Sequence, residues 1–112
     1  MNDKSNIKGR NYDNPVSLPL KIIGGKWKMP IVWSLSTKSM RYGELKKAFP
    51  RITHKMLTQQ LRELEKDELI NRKVYSQIPP KVEYSLTLLG KSVLPVIEIL
   101  IEWGNEYRKV FV

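Results

Sequence analysis

The chain has 112 residues, no cysteine and one histidine, and carries a formal net charge of +9 from 20 lysines and arginines against 11 acidic residues. That length makes one domain able to bury its own core, while the missing thiols exclude disulfides, thiolate metal sites and cysteine nucleophiles, and a lone imidazole argues against a histidine metal site or a catalytic triad. There is no long apolar run, and the polar start MNDKSNIKGRNYDN lacks the core of a signal peptide, so a soluble, cytoplasmic protein with no membrane partner is expected.

Residues 1–13 are polar and rich in Asn, Lys and Gly, which predicts a mobile arm ahead of a single folded domain over 14–112. NPVSLPLKIIGG reads as a short helix, capped by Ser17, tolerant of Pro19 in its first turn and ended by Gly24-Gly25. KWKMPIVWSLS reads as a second helix with Trp27, Ile31, Val32 and Leu35 on one buried face, and Pro30 sits early enough to cost little. MRYGELKKAFP gives a short extended piece and a third helix. Its apolar residues Leu45, Ala48 and Phe49 stand at i, i+3 and i+4, and Pro50 stops it.

Thr53 is an N-cap for a fourth helix, predicted over about 54–67, although Met56 stands where a capping box wants Glu or Gln. Only three or four residues separate it from the third helix, which is the helix-turn-helix arrangement. INRKVYS and KVEYSLT then read as two strands within about 70–86, Val82, Tyr84 and Leu86 alternating with Glu83 and Ser85. The linking QIPP is no tight turn; its prolines predict a stiff, projecting tip. A hairpin placed directly after a helix-turn-helix is a wing. Thr87 caps a last helix over about 88–110, which Pro95 is expected to kink. The predicted fold class is α+β, mostly α: a winged helix-turn-helix.

Charge and helical phase together suggest a use for the fourth helix. The net charge is +4 over residues 1–37, +6 over 38–81 and −1 over 82–112, so the positive surplus belongs to the first two thirds and suggests a polyanion. With Leu57 at zero on a helical wheel, Leu61 and Leu64 lie within about 40° of it, whereas Lys55, Gln59, Arg62 and Lys66 cluster at about 140–200°. Thr58 flanks this stripe and His54 opens it. Arg and Lys can donate to guanine O6 and N7, Gln can pair with adenine, and Thr can meet a thymine methyl or a phosphate. Lys, Gln and Arg also populate any solvated helix face; the short turn before this helix and the basic hairpin after it favour reading of double-stranded DNA. Arg41, Arg51, Lys46, Lys47, Arg72 and Lys81 are placed to bind phosphates and set register.

The stretches GGKWKMPIVWSL, RYGELKKAFPRITHKMLTQQLRELEKDELI and VYSQIPPKVEYSLTLLGKSVLPVI, with a closing WG, resemble the HxlR family of bacterial winged-helix transcriptional regulators over roughly residues 14 to 108. The resemblance implies a homodimer that binds an operator near its target promoter, often as a repressor. It makes LTQQLRELE, from His54, the recognition helix, brings Pro79 to Lys81 to the flanking backbone or minor groove, and assigns dimerisation to the segments before residue 26, Val16 among them, and after residue 87. Many relatives carry a cysteine just before the proline that opens the first helix, and several use it to sense electrophiles or oxidants. Here that position is Asn14, whose amide neither attacks an electrophile nor oxidises as a thiol does, so direct thiol sensing is excluded.

The last helix supports dimerisation independently. Its polar residues form a narrow stripe and its apolar ones span far more than the roughly 100° arc that one core requires. Leu94, Ile97, Leu100, Ile101, Trp103 and Tyr107 are the expected interface, and a second copy is the simplest partner; the alternative is that the N-terminal helices cover that face within one chain. Trp27, Trp33, Trp103 and Tyr107 either line a pocket for a small-molecule effector or are only core. No catalytic residue, metal ligand or cofactor is expected, since no buried acid pair and no phosphate-cradling glycine loop is present. The remaining alternative function is an architectural or non-specific DNA-binding protein of the same fold.

Overall fold

The computed structural model describes residues 14–111, together with the backbone of β1 (Asn6–Ile7) and β2 (Arg10–Asn11). These two short strands pair antiparallel, Asn6 opposite Asn11 and Ile7 opposite Arg10. The rest of the arm expected to be mobile over 1–13 lies outside the described residues.

The first helix, α1 (Ser17–Ile23), is not capped by Ser17. Asn14 does that work from three residues upstream: its Oδ1 accepts from the amides of Val16 at 3.0 Å and Ser17 at 3.1 Å. A short amide side chain ahead of a proline reaches two amides that have no partner inside the helix. At the other end the Gly24 amide bonds the Leu20 carbonyl at 2.8 Å, and Gly25 turns the chain at φ 91°, a conformation that suits glycine.

Helix α2 (Lys28–Ser34) buries Ile31 and Val32 completely. The extended piece that follows is a strand, β3 (Met40–Arg41), and leads straight into α3 (Tyr42–Ala48), whose start is held by Glu44 Oε1 accepting from the Arg41 amide at 2.9 Å. Leu45 is buried and Phe49 packs against the core, but Ala48, expected on the same face, is exposed. A seven-residue helix has room for one inward turn, and Phe49 beyond its end closes the contact instead.

Thr53 caps α4 (His54–Lys66) as expected, its Oγ1 accepting from the Met56 amide at 3.0 Å. Leu57, Leu61 and Leu64 are buried beneath it, each worth about 1.5–3 kcal/mol relative to exposure. The helix closes without a glycine. Glu68 takes the left-handed conformation at φ 64°, with the Glu68 amide on the Glu65 carbonyl at 3.0 Å and the Leu69 amide on the Leu64 carbonyl at 2.9 Å. This is the Schellman pattern with a glutamate at its left-handed position.

Strands β4 (Ile70–Tyr75) and β5 (Lys81–Leu86) form the expected hairpin, running from Ile70 opposite Leu86 to Tyr75 opposite Lys81. Strand β3 adds on the far side of β5, with Met40 opposite Tyr84, so the sheet order is β3-β5-β4. Ile78 stands fully exposed at the hairpin tip.

The last helix departs from expectation. It is two helices, α5 (Leu88–Lys91) and α6 (Leu94–Phe111), the first capped by Thr87 Oγ1 accepting from the Gly90 amide at 2.9 Å. Pro95 therefore does not kink a continuous helix. Its ring would clash with the carbonyl four residues back, at Lys91, so the chain breaks there and Pro95 falls in the first turn of α6, where no amide is needed. The break also resets the helical phase. Val93 and Ile97, one turn apart, point into the core, and Ile97, expected at a dimer interface, is only 6% exposed in the single chain. Among the described residues no helix is long and apolar enough to cross a membrane.

Candidate nucleic-acid interface

The three buried leucines of α4 leave its opposite side to solvent. Lys55, Gln59, Arg62 and Lys66 are exposed along it, His54 is exposed at its first turn and Thr58 is half-buried. His54, Lys55, Thr58, Gln59, Arg62 and Glu63 together line one shallow concavity of about 490 Å³. Five of the predicted site residues thus share a single surface. Arg72 of β4 joins it at the edge, lining a neighbouring depression with Thr58, Leu61, Arg62, Glu65 and Tyr84.

The other predicted basic residues lie elsewhere. Arg51 is exposed in the turn between α3 and α4, and Arg41 is exposed on β3, opposite Glu83. Lys81, at the foot of the hairpin tip, is already engaged: its Nζ is 3.3 Å from Glu83 and 4.7 Å from the centre of the Tyr75 ring, over which Lys73 also sits at 4.8 Å. Hydrogen bonds from Tyr75 and then Ser39, with Lys81 beside them, hold the Glu83 carboxyl below its ordinary range. Both hairpin lysines thus lie over the Tyr75 ring, with Lys81 also beside Glu83.

Two residues of this surface were not anticipated as part of it. Tyr42, at the start of α3, reaches across the turn to α4. Its hydroxyl lies 3.0 Å from His54 Nδ1, 3.2 Å from the His54 carbonyl and 3.4 Å from Thr58 Oγ1, and its ring stacks on the imidazole with centroids 5.8 Å apart. Lys28 of α2 donates to Glu63 Oε1 at 2.8 Å. That bond is the foremost reason the Glu63 carboxyl sits below its ordinary range. A clue to Lys28 was legible: Lys28, Ile31, Val32 and Leu35 stand at i, i+3, i+4 and i+7, so a cation occupies the apolar stripe. Nothing in the spacing alone marks Tyr42.

On α6 the expected interface residues Leu100, Ile101, Trp103 and Tyr107 are exposed, as is Val16 ahead of α1, while Leu94 is partly buried against the core. Trp103, Tyr107 and Phe111 form a ladder along the helix, with centroids 5.3 and 4.8 Å apart. Of the four aromatics considered for an effector pocket, Trp27 packs edge-on against Phe49 beside the core, while Trp33, Trp103 and Tyr107 are exposed in the single chain.

A helix-turn-helix followed by a hairpin that a third strand completes, with an exposed row of basic and amide side chains on its second helix, defines a winged-helix DNA-binding protein. The chain belongs to the HxlR family: the family's HxlR-like helix-turn-helix model matches residues 22–111. It is 51% identical over 94 residues to the HTH-type transcriptional regulator YdeP of Bacillus subtilis (strain 168), covering 84% of this chain and 73% of YdeP. To the regulator YtcD of the same organism it is 48% identical over 106 residues, covering 94% of this chain and 84% of YtcD. The crystal structure of ytcD superposes with a TM-score of 0.82 at 49% identity, covering 86% of this chain and 98% of that one. The redox regulator HypR in its reduced form gives a TM-score of 0.82 at 45% identity, covering 88% and 97%. The protein is a helix-turn-helix transcriptional regulator.

Proposed function

We propose that the protein is a homodimeric, sequence-specific repressor that binds an inverted-repeat operator. The observation that carries this reading is the outward row on α4, where Lys55, Gln59 and Arg62 are exposed opposite three buried leucines. His54, Thr58, Gln59 and Arg62 read base edges or the nearest phosphates, while Lys55, Arg41, Arg51 and Lys81 bind phosphates and set register.

Dimerisation supplies the second half-site. The apolar side of α6 leaves Leu100, Ile101, Trp103 and Tyr107 in water, with Trp103 63% exposed. A helix serving one core would not carry that surface. Pairing α6 and the Val16 end of α1 with a second copy buries it, and two-fold symmetry then sets two α4 helices into successive major grooves about 34–36 Å apart. Ile97 takes no part, because it already belongs to the core of one chain.

Footprinting upstream of the protein's own and neighbouring genes, repeated with Gln59→Ala, tests the reading. An operator should be preferred over random duplex by roughly 10³-fold or more. Gln59→Ala should lose about 1–3 kcal/mol, concentrated at one base position, whereas Lys81→Ala should weaken all sequences alike. If six to ten phosphates are neutralised, affinity should fall about 10³–10⁵-fold between roughly 50 and 200 mM salt. Equal binding to operator and random duplex would point to an architectural protein; uniform loss from Gln59→Ala would remove that residue's assigned role.

A further inference from the structure

Lys28 occupies the first position of the apolar stripe on α2, and it is buried together with Ile31, Val32 and Leu35. Only 9% of its side chain is exposed, against 41% for Glu63, whose Oε1 it meets at 2.8 Å. Glu63 belongs to the same concavity as His54, Lys55, Thr58, Gln59 and Arg62. The pair therefore ties a buried lysine of α2 to the face of α4 that carries the donors.

A carboxylate on that face has an adverse consequence unless it is neutralised. Close to a row of phosphates an uncompensated negative charge opposes binding. On the helix it also stands four residues after Gln59, with whose side chain it hydrogen-bonds, so that it helps to set the position of that amide. Lys28 offsets that charge by pairing with the carboxylate at 2.8 Å. The lowered carboxyl range of Glu63, caused first by the Lys28 hydrogen bond, agrees with an ionised and anchored group.

We propose that Lys28 is a positioning residue for DNA recognition: it neutralises Glu63, which in turn hydrogen-bonds Gln59, so that the face carrying Gln59, Arg62 and Lys66 meets the duplex without an uncompensated negative charge. This rests on the DNA-reading role of α4 proposed above. Lys28 itself touches no nucleic acid; it acts through Glu63.

A double-mutant cycle on the operator duplex tests it, with Lys28→Met, Glu63→Gln and the double variant measured across a salt series beside wild type and Gln59→Ala. One unmasked negative charge should lower the magnitude of the salt slope by about 0.9 per protomer, or roughly eightfold in affinity per half-site at about 0.1 M salt. The double variant, which carries neither charge, should return to within about twofold of wild type, since the pair's net charge is zero in both. A double variant as weak as Lys28→Met, or no loss from Lys28→Met, overturns the proposal, because Lys28 would then act without Glu63. Should Lys28→Met lose its cooperative melt, Lys28→Gln, polar but uncharged, replaces it in the cycle. If wild type and Gln59→Ala both bind operator and random duplex alike, the role of α4 fails and this inference falls with it.

Discussion

Gly90 and Gly43 invite the same substitution and should answer with opposite signs. A Cβ at Gly90 would lie 2.0 Å from the carbonyl oxygen of Leu69 and 3.3 Å from Leu86 Cδ2, whereas one at Gly43 meets nothing within 4 Å. The Leu69 oxygen cannot simply move away. It accepts from the Thr87 amide at 3.1 Å and lies 3.2 Å from Thr87 Oγ1, and Leu69 also closes the end of α4. Overpacking of this kind costs about 1–3 kcal/mol, and each hydrogen bond lost adds about 1 kcal/mol. Gly90→Ala should therefore destabilise by about 3 kcal/mol or more. At about 4 °C per kcal/mol for a chain of this size, the melting temperature should fall by about 12 °C. Gly43→Ala should instead stabilise by about 0.5 kcal/mol, since alanine restricts the unfolded chain without strain. Urea unfolding followed by circular dichroism, at one fixed protein concentration, measures both. A Gly90→Ala protein within 1 kcal/mol of wild type (about 4 °C) would refute the close approach of α5 to Leu69.

Thr53→Ala removes the acceptor at the start of α4 and should cost about 1 kcal/mol in the same unfolding assay. Tyr42→Phe deletes the hydroxyl that meets His54 and Thr58, and should cost roughly 0.5–1.5 kcal/mol; because the protein has one histidine, its imidazole resonance should shift in an unambiguous NMR comparison with wild type. Acid should weaken the Lys28–Glu63 tie. The folded Glu63 carboxyl is lowered, so its contribution is fully present above the unfolded value of about 4.3 and is lost as pH falls through the folded one. The stability gap between wild type and Glu63→Gln should therefore close on acidification; a gap independent of pH would show that the ion pair does not contribute.

Much of the molecule was decided by local rules. Period 3.6 in Leu57, Leu61 and Leu64, a threonine ahead of α4, and strict alternation through Val82, Tyr84 and Leu86 each specify an element and the face it buries, because those patterns depend only on near neighbours in the chain. The outward row on α4 was legible for the same reason: residues opposite a buried stripe must face away from it. What tertiary structure alone decided lies where distant segments meet. Whether Pro95 bends one helix or begins another depends on how Val93 and Ile97 reach the core, and that choice moved Ile97 from a surface to an interior. The partner of β3, the reach of Tyr42 to His54, and the bond from Lys28 to Glu63, 35 residues apart, are set by packing between elements, which no periodicity within either element encodes.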